Sequence, residues 1–395
     1  MKFFTGIPVL FALPMASAHS PPTQTVKDDV IAFAQSLNLS TALSADIVAL
    51  FRQQTKPARG NADLACQITR LIFGPAYSDP ITDNSTYTTL ADNNWSQSCR
   101  LRPSCIIAPR SALEVPAAIK LISFLDIPFS VRSGGHSANL GWANTGTGIL
   151  ISLNGLTEIS LSADKTVASI GPGNRWDAVY EALARHGVGV LGGRVPDVGV
   201  AGLILGDLFW GLKGGSGNFG IVTRFDLATF PELASFRYEV LRYLATQNEK
   251  LLEAQEEYQR VGELDSKSGV MQLINADTSL IALVYAGGSV DERPAALEPF
   301  YGVPRISPLV GPTVGGLAGL TQAFTPLFSR PAKRHTIGVV ATGIDVALYK
   351  SLYARYESFR AEAAQRANTS PSLVMQIISK SAIGARLPLR LDKPF

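Results

Sequence analysis

The stretch Pro128-Phe129-Ser130-Val131-Arg132-Ser133-Gly134-Gly135-His136-Ser137 decides how the rest of this chain is read. Pro128 to Arg132 has the composition of a short strand, and a polar loop follows it as far as Gly141. Two adjacent glycines expose successive backbone N–H groups. With Arg132, Ser133 and Ser137 beside them they suit an anion-binding concavity for a diphosphate. His136 at the loop edge then stands next to whatever the phosphates bring. The bland alternative is a tight turn with an incidental histidine, and the flanking sequence has to decide.

Outward from the loop, short strands alternate with helices. Strands are predicted at Cys105 to Ala108, Gly148 to Leu153, Thr157 to Leu161 and Thr166 to Ile170. Ser111 and Glu114 read as a capping box at the start of a helix with apolar Leu113, Val115, Ile119 and Ile122. A helix from Trp176 to His186 ends at Gly187, and His186 there suits a helix-dipole partner better than a catalyst. The N-terminal part is helical, most clearly from Asp28 to Phe51. After Pro231 come a helix from Asn248 to Val261, strands at Val270 to Asn275 and Leu280 to Ala286, and Pro/Gly-rich loops from Gly302 to Gly319. A strand follows at Thr336 to Thr342 with His335 at its entrance, then a helix from Ile344 to about Arg366 and a last strand-like run, Leu373 to Ser379. Tyr349, Leu352, Tyr353, Tyr356 and Phe359 form a stripe on that helix, which at helical spacing is read as core rather than cavity lining. The pattern is α+β, too closely spaced for a doubly wound sheet. Gly215-Ser216-Gly217-Asn218-Phe219-Gly220 fits the dinucleotide fingerprint, but Ile221 to Phe230 alternates like a strand where that motif needs a helix.

The decisive stretch is followed, in order, by Ser152-Leu153-Asn154-Gly155-Leu156, Gly171-Pro172-Gly173, Gly192-Gly193-Arg194-Val195, Gly199-Val200-Ala201-Gly202-Leu203-Ile204-Leu205-Gly206 and Asp207-Leu208-Phe209-Trp210-Gly211. The series resembles the FAD-linked oxidases with a PCMH-type, vanillyl-alcohol-oxidase-like domain, and most closely the fungal berberine-bridge-enzyme-like oxidoreductases. The resemblance implies an α+β architecture: a PCMH-type FAD-binding domain of two subdomains over residues 101–232, preceded by an N-terminal segment (19–100) and followed by a partial substrate domain with an antiparallel sheet and helices (233–395). It implies that Arg132, Ser133, Gly134, Gly135, His136, Ser137 and Gly141 hold the FAD pyrophosphate, with His136 joined covalently to the flavin 8α-methyl carbon. Gly199, Val200, Gly202 and Gly206 would lie against flavin and diphosphate, and Gly220 and Ile221 would add contacts. The implied reaction takes hydride from a small organic substrate, a secondary metabolite ahead of an oligosaccharide, and passes the electrons to O2.

The chain departs from the family in two places. Gly206 abuts Asp207 where relatives insert several tens of residues, including the cysteine of a second flavin link, and Phe395 comes before the relatives' C-terminal segment. None of Cys66, Cys99 and Cys105 matches that cysteine, so one histidyl link at most is expected. Either a coding segment and an end are missing, or the chain is a flavin-free glycoprotein left by decay of such an enzyme. No general base is identifiable. Tyr285 and Glu256 qualify by residue type alone, with core or solvated roles expected for both.

The remaining composition sets the setting. The chain has 395 residues, 46% hydrophobic and 17% charged, which excludes disorder and leaves room for two or three domains. A formal charge of +3 without a basic run argues against nucleic acid, and three Cys and four His are too few for a metal cluster. Residues 1–18 read as a signal peptide, Lys2 followed by an apolar run and Ala16-Ser17-Ala18, so a secreted or secretory-pathway protein starting at His19 is expected. Sequons at Asn38, Asn84, Asn94 and Asn368 agree with that route. One disulfide is expected, Cys66 with either Cys105 or Cys99, and a monomer without a membrane anchor.

Overall fold

The computed structural model describes residues 25–54, 58–205, 220–328, 334–335, 337–367, 369 and 371–377. The expected signal peptide, Gly206 to Phe219 and the sequon at Asn368 lie outside them. The chain divides into two compact units. One lies within Met1–Val179, Leu191–Ala228 and Leu327–Ile337, and the other within Tyr180–Val190, Thr229–Pro326 and Gly338–Phe395.

Helices α1 (Thr25–Ser36), α2 (Thr41–Arg52) and α3 (Ala62–Phe73) open the first unit. Ser40 and Asn61 cap α2 and α3 by accepting from the Leu43 and Leu64 amides. Strand β1 (Tyr77–Ser78), helix α4 (Asn84–Ala91), β2 (Cys105–Ile107), helix α5 (Glu114–Leu125), β3 (Phe129–Arg132) and β4 (Ile149–Ser152) follow. They make a sheet of order β1-β2-β4-β3 in which β2 and β3 both run parallel to β4. Ile149, Ile151 and Cys105 from this sheet, Leu121 and Leu125 from α5, and Ile47, Leu64 and Ile68 from α2 and α3 close one core. The disulfide joins Cys66 on α3 to Cys105 on β2, which resolves the open pairing and leaves Cys99 free and buried. Ser111 and Glu114 do not form the expected box. The helix starts at Glu114 itself, and its carboxylate reaches back to accept from the Arg110 amide at 2.9 Å.

A second sheet has the order β5-β6-β8-β7, from β5 (Ile159–Leu161), β6 (Val167–Ile170), β7 (Gly189–Val190) and β8 (Phe225–Phe230). Helices α6 (Trp176–Ala184) and α7 (Val200–Leu203) flank β7 in the chain, and Gly187 takes a left-handed φ of 72° after α6. The strand expected from Ile221 begins only at Phe225.

The second unit holds β9 (Phe236–Leu244), helix α8 (Asn248–Arg260), β10 (Ser268–Ile274), β11 (Thr278–Ala286), α9 (Glu298–Tyr301), β12 (Ile306–Gly315), α10 (Leu317–Phe328), α11 (Val346–Ala367) and β13 (Leu373–Gln376). All pairings in its sheet, β12-β9-β11-β10-β13, are antiparallel. Leu241, Tyr243, Ile281 and Leu283 pack there under Leu251, Ala254 and Tyr258 of α8. The expected Pro/Gly-rich loop is corrected: Ile306 to Gly315 is an edge strand. Its register on β9 shifts around Pro308, Gly311 and Pro312, which an edge tolerates because one side of the strand needs no ladder partner. The strand expected at Thr336 to Thr342 is absent among its described residues, which are irregular and leave Ile337, Val339 and Val340 exposed. The α11 tyrosine stripe is mostly packing: Tyr349 and Tyr356 are buried, and their hydroxyls donate to Gln259 and to the Ile274 and Pro371 carbonyls. Phe359 at its end is exposed.

Candidate cofactor site

Strand β3 delivers its loop into a narrow place in the first unit. A Cβ built on Gly134 would lie 2.5 Å from both the Cα and the N of Gly199. These are backbone atoms that no rotamer change can move away, so the two glycine loops touch main chain to main chain. Gly135 adopts φ +69°, and a Cβ there would meet the Asn93 carbonyl at 2.5 Å. Hydrogen bonds lock the arrangement. Ser133 Oγ donates to the Pro172 carbonyl at 2.6 Å, the Trp95 amide donates to the Gly135 carbonyl at 3.0 Å, and the Val200 amide donates to the Asn174 carbonyl at 3.0 Å.

Among the described residues, the amides of Gly134, Gly135, His136 and Ser137 have no protein acceptor. Four successive unpaired donors beside the start of a second glycine loop form an anion-binding concavity, so the residues present fit the diphosphate of a dinucleotide. Arg175 borders it: its guanidinium pairs with Asp197 at 2.8 Å, donates to Asn93 Oδ1 at 3.1 Å and comes near the Gly134 position. His136 is partly buried, and burial holds its imidazole below the usual histidine range; Asp197 pulls it up, Arg175 and His335 push it down. The neutral ring is a nucleophile with a lone pair, the form a covalent attachment requires.

Residues 103–218 match a family described as FAD binding domain. The chain is 35% identical over 373 residues to an FAD-dependent monooxygenase of Arthrobotrys oligospora, an alignment covering 85% of this chain and 70% of that protein. The chain belongs to the same family of FAD-dependent oxidoreductases as this monooxygenase. It is also 34% identical to an FAD-dependent monooxygenase of Penicillium terrestre, covering 66% of this chain but only 57% of the relative. The fold matches BBE-like 1 of Physcomitrella patens at a TM-score of 0.56, with 18% identity and 68% of each chain covered.

Within this FAD-linked fold the expected residues divide into groups. Ser133, Gly134, Gly135, His136, Ser137, Gly199 and Val200 come together as described. Gly141 sits at an exposed turn with φ +84°, its carbonyl at the 3.5 Å limit from Ser130 Oγ, and exposed Gly202 has nothing within 4 Å of a built Cβ. Exposed Gly220 precedes Ile221, which packs against the first core, while Gly206 is outside the described residues. Arg132 is a correction. It is 1% exposed and runs beneath the loop, with its Cδ beside Gly135, donating to Asn94 Oδ1 at 2.9 Å and to the Leu90 carbonyl, so it braces the loop from inside instead of meeting phosphate. Burial and the nearby Arg175 bring its pKa down to about 10.

Asn94 is a second correction. Its side chain is 3% exposed, and Oδ1 also accepts from Asn144 at 3.4 Å, so the fold has no room for a glycan there. Asn38 and Asn84 are exposed. Tyr285 donates to Asp265 at 3.0 Å, which raises its hydroxyl pKa, and Glu256 pairs with Arg260 on the surface of α8; neither is placed as a base. His335 is not at a strand entrance but stacks on Trp95. Asn93, Trp95, Arg175 and Asp197 were not singled out in the sequence. Arg175 follows Gly171-Pro172-Gly173 by two positions, and that proximity was the one local cue.

Proposed function

We propose that the chain holds FAD with its diphosphate on the Gly134 to Ser137 amides and the Gly199 loop, linked through His136, and oxidises a small organic molecule, a secondary metabolite. The observation that carries this reading is the backbone contact of Gly134 with Gly199 beside four amides that have no acceptor among the described residues. The flavin would supply hydride acceptance and electron transfer to O2. The protein's own work is narrower. The amides neutralise the diphosphate, Ser133 and Trp95 hold the loop, and His136 presents an imidazole kept neutral by burial. Because the chain spans 70% and 57% of the two relatives' lengths, activity and substrate are inferred for the assembled site rather than read from it.

The relatives' description as monooxygenases favours a second reading, insertion of one oxygen atom into substrate. Labelled O2 separates the two: label in product supports insertion, and label in hydrogen peroxide alone supports oxidase chemistry. Binding is tested first. Purified chain supplied with FAD and desalted should keep a flavin band near one equivalent; colourless protein would support the flavin-free alternative. A secretory route is part of the proposal, supported by the Cys66–Cys105 disulfide and the exposed sequons at Asn38 and Asn84. A monomer without a membrane anchor, acting without nucleic acid, completes it. Among the described residues no helix is long and apolar enough to cross a membrane, and no cluster of three metal-ligating groups is present.

A further inference from the structure

Two histidines separated by 199 positions in the chain stack on one indole. The His136 ring lies parallel to Trp95, with centroids 4.4 Å apart and 13° between planes, and the His335 ring does the same at 3.7 Å and 9°. The main chain around the indole grips both partners. The Trp95 amide donates to the Gly135 carbonyl at 3.0 Å, one residue before His136, and Ser96 Oγ accepts from the His335 amide at 3.0 Å. Residue 94 is in turn fixed by Arg132 and Asn144. The corner from Asn94 to Ser96 therefore has little freedom to shift.

We propose that Trp95 is the positioning residue for His136, with His335 as the second ring that holds the indole against it. The function of this device rests on the reading of His136 as the flavin-linking residue. A histidine on a glycine loop has two free side-chain torsions, and a ring face pressed on a fixed indole removes most of that freedom. A face-to-face contact keeps both imidazole nitrogens at the ring edge, away from the indole, where one can meet the cofactor. Asp197 and Arg175 are the charged groups facing His136, with His335 as its titratable neighbour, and none of them fixes a ring plane.

The test uses the full chain with Trp95→Ala, Trp95→Phe and His335→Ala, followed in two ways. The first is the rate at which supplied FAD becomes acid-stable on protein. Trp95→Ala should slow it by about 10-fold or more at saturating FAD, Trp95→Phe should recover most of the rate, and His335→Ala should fall between. Equal rates in all four proteins would overturn the proposal. The second readout needs no flavin: the His136 ring protons of the wild-type apoprotein should resonate upfield of free imidazole from the indole ring current. Trp95→Phe should reduce that shift. An unshifted wild-type resonance overturns the positioning role even if every alanine variant fails to fold. A shifted resonance in a wild type that never gains acid-stable flavin supports the positioning and rejects the covalent reading.

Discussion

Gly134 and Gly199 share a boundary too thin for a side chain. Gly134→Ala puts a methyl 2.5 Å from backbone that cannot rotate away. It should cost about 1–3 kcal/mol of stability and release FAD. Gly146→Ala has nothing within 4 Å and should stay within about 0.5 kcal/mol of wild type. Thermal unfolding followed by circular dichroism, with flavin retention on a desalting column, checks both; equal midpoints would contradict the close approach. His136 gives a pH signature. Burial holds its folded pKa below the ordinary imidazole value of about 6.5, so the unfolded chain binds the proton more readily. Stability of the flavin-free chain should be level above pH 6.5 with respect to this group and fall as pH drops below it. Denaturant melts of wild type and His136→Asn should show the slope shrinking in the variant; identical slopes would contradict the burial. At this scale the sequence revealed the glycines and the histidine, because turn chemistry is local. It misplaced Arg132 and missed Trp95, because their roles come from contacts across the fold that spacing does not encode: Arg132 lies 38 positions from its partner Asn94.

The disulfide ties α3 to β2 across 39 residues. Closing a loop of that length removes on the order of 4 kcal/mol of chain entropy from the unfolded state. A Cys66→Ala, Cys105→Ala double variant should lose most of that in denaturant unfolding; a loss below about 1 kcal/mol would mean that the helices hold the β2 sheet without it. Elements with strong period or composition were readable. Helices α5, α6, α8 and α11 and strands β4, β10 and β11 fall where the pattern put them, within a few residues. Edges were not. β12 contains Pro308 and Pro312 and reads as loop, yet β9 supplies the ladder that makes it a strand. Residues 337–343 carry β-forming Ile337, Val339 and Val340 yet no described strand pairs with them. Propensity sets what a segment tolerates, and pairing decides what it becomes.

For the molecule as a whole, the composition indicated only a globular chain, while the ordered glycine motifs pointed to the family that the relatives establish. Produced through a eukaryotic secretory pathway, the chain should start at His19 and carry glycan at Asn38 and Asn84, with Asn94 bare because its side chain is enclosed by Arg132 and Asn144. Peptide mass spectrometry checks this, and an occupied Asn94 would contradict the described packing. Covalent attachment of flavin rests on His136. The most direct measurement is the mass of the proteolytic peptide that contains it, taken from acid-precipitated protein supplied with FAD. That peptide should carry the added mass of one flavin and lose it in His136→Ala. An unmodified peptide beside flavin free in the supernatant would contradict the covalent site.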